Sequence, residues 1–208
     1  MLKIDPVPES AATDKVAQTY ERLRDMFQGG TIPPPFLAFG NVPAFAQDFY
    51  MNFKKFVWTD GNIDVKTKGT IALAVSSALR SGPWIEYFSE RLLSLGFDRQ
   101  YLADTLAVVA TCQMYNVFFK FRDISGSSVF EGMSVGLRAH TFTGTSLDQK
   151  MVELINIAIS DLNGCKPCTS GHVEKSRQLG LSDDAILESV QCAATVSAGC
   201  VFLNATGL

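Results

Sequence analysis

Shifted by 84 positions, the chain lies on itself: residues 64–118 fall on residues 148–202 without a gap. Thirteen positions are then identical, among them Asp64 with Asp148, Pro83 with Pro167, Leu95-Gly96 with Leu179-Gly180, and Val117-Phe118 with Val201-Phe202. Roughly three or four matches would arise by chance, and the prolines and glycines punctuate the same places in both copies. A self-match at fixed offset reads as a duplicated supersecondary unit. Apolar residues recur at helical spacing, and no run alternates as a strand does. The expectation is an all-α fold holding two three-helix units. They form one domain over residues 1–208, with a connector at 123–147.

Local punctuation sets the expected helices. The first runs from about Thr13, a candidate N-cap, to Gln28, stopped by Gly29-Gly30. Thr31–Pro35 reads as extended, because proline restricts the residue before it. Pro43 suits the first turn of an aromatic-rich helix ending near Trp58. Asp64 caps a helix to about Leu79, a further helix spans about Pro83–Leu95, and Asp98 caps one reaching Phe119. The Gly- and Ser-rich connector is expected to hold one helix around Phe130–Arg138. Helices near 148–162, 165–179 and 183–203 complete the second copy.

Composition narrows the class. Apolar residues make up 47% of the 208 and charged residues 19%, enough for a sizeable core and unlike a disordered chain. Eighteen Lys and Arg against 21 Asp and Glu leave a net charge of −3 with no basic stripe, so no nucleic-acid partner is expected. The apolar low-charge stretch Val190–Leu203 is shorter than the about 20 residues a membrane helix needs. The opening MLKIDPVPES has no apolar run of a signal peptide. These features point to a soluble, cytoplasmic protein with no membrane association.

Chemistry concentrates in the second copy. Of five cysteines, Cys112, Cys192 and Cys200 lie in apolar runs and read as core. Cys165 and Cys168 form Cys-Lys-Pro-Cys, followed by His172. Asn163-Gly164 is a turn and Pro167 fits only a first helical turn, so both thiols should sit at a helix's leading end, where the macrodipole favours thiolate. Spaced i, i+3, they share a face at a separation that suits a disulfide. His172 lies one turn past Cys168 and can share its proton, which singles out Cys168 as the activated thiolate and Cys165 as its partner. Glu153 lies either on a solvent stripe or inward, orienting the imidazole. Lys150, Lys166 and Lys175 read as surface charges, and His140 as a surface or interface residue. At the 84-residue offset, Glu153, Cys165, Cys168 and His172 face Gly69, Ser81, Trp84 and Phe88, so the helical unit does not itself require them. A zinc site needs four ligands and this stretch supplies three, so neither metal nor cofactor is expected.

Glu153, eleven residues, then Cys165-x-x-Cys168-x-x-x-His172 resembles the motif of the AhpD-like branch of the carboxymuconolactone decarboxylase family. The segment Pro34–Phe56 is weakly similar to that family's N-terminal region, so the likeness covers most of the chain. The resemblance implies an all-α fold assembled into homo-oligomers, trimers or hexamers. It also implies a thiol peroxidase acting on hydroperoxides, with Cys168 attacking, Cys165 resolving to a disulfide, His172 as base and Glu153 completing a proton relay. Its reductant would be a protein or small thiol, a lipoyl-bearing protein among the candidates. AhpD proper carries a histidine where this chain has Pro167. The alternatives are a lyase of the carboxymuconolactone decarboxylase type, which needs no dithiol, and a non-enzymatic redox sensor or zinc-stabilised module.

Overall fold

The structure, a computed structural model, describes residues 4–206; residues 1–3 and 207–208, the ends of the expected 1–208 domain, lie outside it. Among the described residues there are nine α-helices and no strand. They are α1 (Asp14–Met26), α2 (Pro34–Phe39), α3 (Pro43–Phe53), α4 (Val65–Ala78), α5 (Gly82–Ser94), α6 (Arg99–Ile124), α7 (Gln149–Leu162), α8 (Lys166–Gln178) and α9 (Asp183–Thr206). A π-helical turn, Lys54–Trp58, continues α3, and three-residue 3-10 turns sit at Glu9–Ala11, Ser128–Phe130 and His140–Phe142. The all-α expectation therefore holds.

The first members α4, α5 and α6 start at residues 65, 82 and 99, and α7, α8 and α9 start 84 positions later at 149, 166 and 183. Shared caps produce these shared boundaries. The Asp64 and Asp148 carboxylates accept the Thr67 and Met151 amides at 2.8 and 2.9 Å, and Asp98 does the same for Tyr101. At the other ends, the Ser81, Phe97, Cys165 and Leu181 amides donate back to the Ser76, Leu92, Ser160 and Ser176 carbonyls. This closure needs a left-handed residue just before the donor. Gly96, Gly164 and Gly180 supply it; at the fourth place stands Arg80, with φ +55°.

The structure departs from the sequence expectation in four segments. No helix forms over Phe130–Arg138: Gly136 adopts φ +65°, and the mostly exposed segment buries too little to offset ordering it. Extended chain stops at Pro33, and Pro34 opens α2, because a proline's missing amide costs nothing in a first turn. Thr13 occupies the N-cap of α1 without a side-chain capping bond. The helix expected to end at Phe119 continues to Ile124. Both α6 and α9 are also long and apolar enough to cross a membrane by length and composition, which the 190–203 stretch alone did not suggest. Here α9 runs through the core, with Cys192, Val196, Cys200 and Leu203 fully buried.

The N-terminal helices cover α5 of the first copy and also reach α9 of the second, where Phe39 and Phe45 pack on Phe202. Phe36 of α2 and Phe49 and Phe53 of α3 pack on Trp84 of α5 at ring separations of 5.5–5.9 Å, and Phe53 stacks on Phe88. Trp84 and Phe88 are the counterparts of Cys168 and His172. A buried ion pair, Lys68 Nζ to Glu188 Oε1 at 2.5 Å, ties α4 to α9, and Lys68 also donates to the Thr59 carbonyl. The matching face of α8 meets the irregular segment around Phe142 instead.

Candidate functional site

The helical hairpin α7–α8 assembles the site. After Leu162 the chain turns through Asn163 and Gly164, whose φ of +62° lets the Cys165 amide reach the Ser160 carbonyl at 2.9 Å. Cys165 is thereby the N-cap of α8 and Cys168 lies in its first turn, with Pro167 where its missing amide is tolerated. The two cysteines are joined in a disulfide with Cα atoms 5.3 Å apart. Cys165 is fully buried, whereas Cys168 is 8% exposed and lines a cavity of about 370 Å³.

That cavity lies between α6 and α8. Tyr115 and Phe119 of α6, Phe142, and Pro167 wall it with apolar surface, and Cys168, His172 and Lys175 bring the reactive and charged groups. The Phe142 ring meets the His172 ring edge-on at 6.5 Å.

Glu153 faces inward. It is fully buried on α7, and its Oε2 lies 2.6 Å from His172 Nδ1. With Nδ1–H donating to the carboxylate, His172 keeps Nε2 as its free nitrogen. Burial alone would push the Glu153 carboxyl up; the hydrogen bonds and charges of His172 and Lys175 outweigh that and hold it below the ordinary carboxylate range.

The structure thus brings all four predicted residues, Cys165, Cys168, His172 and Glu153, into one hairpin. It adds Lys175, read from sequence as a surface charge: half exposed at the cavity, its Nζ donates to Glu153 Oε1 at 2.5 Å. Its spacing held the clue, since Lys175 is i+3 from His172 and i+7 from Cys168, on one helical face. The aromatic wall had no comparable clue, because Tyr115, Phe119 and Phe142 are ordinary core residue types at distant positions. Lys150, Lys166 and His140 take no part in these contacts, and His140 is exposed.

Cys112, Cys192 and Cys200 are free and buried, as the apolar runs around them implied. Burial pushes their thiols up to about 11, 12 and 11, away from reactivity. Among the described residues, no group of three or more His, Cys, Asp or Glu side chains is placed to hold a metal ion.

Comparison with known proteins bears on the sequence and the fold. The family model described as "Carboxymuconolactone decarboxylase family" matches residues 130–208, the part that holds the hairpin and α9. A protein of Anaeromyxobacter dehalogenans named alkyl hydroperoxide reductase AhpD is 27% identical over 80% of this chain and 88% of its own length. A protein of the same name from Nocardia farcinica is 27% identical over 76% of this chain and 86% of its own. Among solved structures, a Burkholderia xenovorans LB400 protein provisionally named a gamma-carboxymuconolactone decarboxylase subunit superposes with a TM-score of 0.65. It covers 93% of this chain and 97% of its own at 16% identity, which speaks to the fold alone. On these grounds the chain resembles the AhpD-like proteins of the carboxymuconolactone decarboxylase family, in sequence over most of its length and in fold.

Proposed function

We propose that this protein is a thiol-dependent peroxidase that reduces hydroperoxides through the Cys165–Cys168 pair. The observation that carries the reading is the disulfide whose more exposed residue, Cys168, lines a cavity shared with a carboxylate-oriented imidazole. The resemblance to proteins named alkyl hydroperoxide reductase AhpD supports it.

The cycle begins with reduced cysteines. His172 Nε2 takes the Cys168 proton, and the start of α8 favours the thiolate. The thiolate sulfur attacks the terminal oxygen of ROOH; the O–O bond breaks, and the departing alkoxide takes the proton from His172 and leaves as ROH. Cys168 is now a sulfenic acid. The Cys165 sulfur attacks it, the S–S bond forms, and the S–O bond breaks with loss of water. Two electrons have passed to the peroxide, and a dithiol reductant returns them by disulfide exchange. The buried Glu153 carboxylate stabilises the imidazolium while the proton is held. A cytoplasmic location, where thiol reductants are kept reduced, suits this cycle.

Several copies of the chain are proposed to assemble. Between Ala103 and Phe121 the exposed positions of α6 carry no charge, including Leu106, Met114 and Val117, and the exposed positions of α9 from Leu187 to Ala205 carry none either. Asp104 and Lys120 are partly exposed at either end of the α6 face, so a second copy would cover a largely neutral surface between them.

The carboxymuconolactone decarboxylase name attached to the family gives a second reading, a lyase acting on a lactone carboxylate. Peroxide and lactone turnover, measured on wild type and on Cys168→Ser and Cys165→Ser, separate the two. The peroxidase reading expects Cys168→Ser to lose peroxide turnover and Cys165→Ser to accumulate a sulfenic acid that a dimedone-type probe captures. Peroxide reduction unimpaired in Cys168→Ser, or lactone turnover indifferent to thiol blocking, overturns it.

A further inference from the structure

Asn156 of α7 is fully buried, and neither its Oδ1 nor its Nδ2 has a hydrogen-bond partner. Buried amides are rarely left so, because an unpaired polar group forfeits its hydration without return. The main chain at this residue is engaged: the Cys112 thiol lies 3.7 Å from the Asn156 carbonyl, its acceptor. Only the side chain lacks a partner.

Hairpin register locates it. Glu153 meets His172, and seven residues further along α7 the Ser160 carbonyl meets the Cys165 amide, seven residues back along the chain from His172. The antiparallel pairing therefore holds over this stretch, and Asn156, three residues past Glu153, comes level with Thr169, next to Cys168. Around the α7 axis, Glu153 faces α8, while Val152, Ile155 and Ile159 pack with Val108, Val109 and Cys112 of α6. Asn156 falls between these two directions, on the flank toward α6 and α8, the helices that bound the Cys168 cavity.

The repeat offers a control inside the same molecule. At the 84-residue offset Asn156 faces Ala72, just as Glu153 faces Gly69, Cys168 faces Trp84 and His172 faces Phe88. The unit without the dithiol also lacks the amide.

We propose that Asn156 is a further residue of this site, donating a hydrogen bond from its side-chain amide to the Cys168 sulfur when the disulfide is open. In the oxidised form Cys168 Sγ is bonded to Cys165 and carries no charge, so the amide stands unpaired. Reduction creates an anionic sulfur beside it, and the donor then favours the reactive form of the thiol. The inference rests on Cys168 as the attacking sulfur.

The test uses the full-length chain reduced with dithiothreitol, with iodoacetamide capture of Cys168 followed by peptide mass from pH 5 to 9. Asn156→Leu removes the amide at similar volume, and Asn156→Ala repeats the measurement with no new bulk. Capture at pH 7 about tenfold slower than in wild type, with the capture profile moved to higher pH and no loss of thermal stability, is the expected result. Folded variants that capture the reagent at the wild-type rate and with the wild-type pH profile overturn the proposal. No peroxide enters this experiment, so its failure leaves the peroxidase reading standing, and failure of that reading does not alter the capture rates.

Discussion

Glu153 ties the stability of the fold to the geometry of the candidate site. Its two oxygens are divided between His172 Nδ1 and Lys175 Nζ, so one fixes the imidazole and the other is fixed by a cation at the cavity. Because the folded carboxyl lies below its ordinary value of 4.5, the stabilisation is complete above that value and is lost as pH falls through the lower, folded value. Glu153→Gln is therefore expected to cost about 1–3 kcal/mol at pH 7. Urea unfolding across pH should show that gap closing below the carboxylate range, and a gap that is constant with pH contradicts it. The same variant should lower peroxide turnover by about 100-fold through loss of the oriented base. Sequence exposed Glu153 only by type and spacing and left its direction open. That direction depends on which face of α7 meets α8, which no local pattern encodes. Lys175 reads as a surface charge and half its side chain is in water, while its Nζ reaches back to the buried carboxylate.

Helix ends show a difference between the two copies that can be measured. Gly164 and Arg80 occupy equivalent places in the same closing turn, with φ of +62° and +55°. A Cβ at Gly164 would meet nothing within 4 Å, so the penalty for Gly164→Ala is purely one of backbone conformation. Thermal or urea unfolding should show Gly164→Ala destabilised and Arg80→Gly stabilised, each by about 1 kcal/mol. A neutral or destabilising Arg80→Gly contradicts the prediction. The starts of α4, α6 and α7 were legible from Asp64, Asp98 and Asp148, which act within three residues of themselves. The connector was not, because a helix at 130–138 depends on finding a surface to bury against. Nor was α2, since Pro33, Pro34 and Pro35 satisfy both an extended segment and a helix start until the burial of Phe36 and Phe39 decides.

At the scale of the molecule, α4–α6 and α7–α9, whose starts lie 84 residues apart, differ in what covers them. The aromatic side chains of α2 and α3 fill the face of α5, while the corresponding face of α8 keeps a cavity with Cys168 at its wall. The offset and the four-residue motif were readable in the sequence; the cavity was not, because it is made by what packs against the second unit. Neutral exposed faces on α6 and α9 lead to the expectation that the chain elutes as an oligomer in light-scattering chromatography, and that Val117→Glu on α6 lowers the mass. A monomeric wild type contradicts the proposed assembly. The most direct measurement of the peroxidase proposal is a count of free thiols in fully reduced, then denatured protein, before and after one equivalent of hydroperoxide. The chain has five cysteines, and three lie outside the disulfide. Wild type should fall from five thiols to three within a single turnover, while Cys168→Ser keeps its four. Five thiols remaining in wild type, or thiols lost equally from Cys168→Ser, would contradict a peroxide-driven Cys165–Cys168 couple.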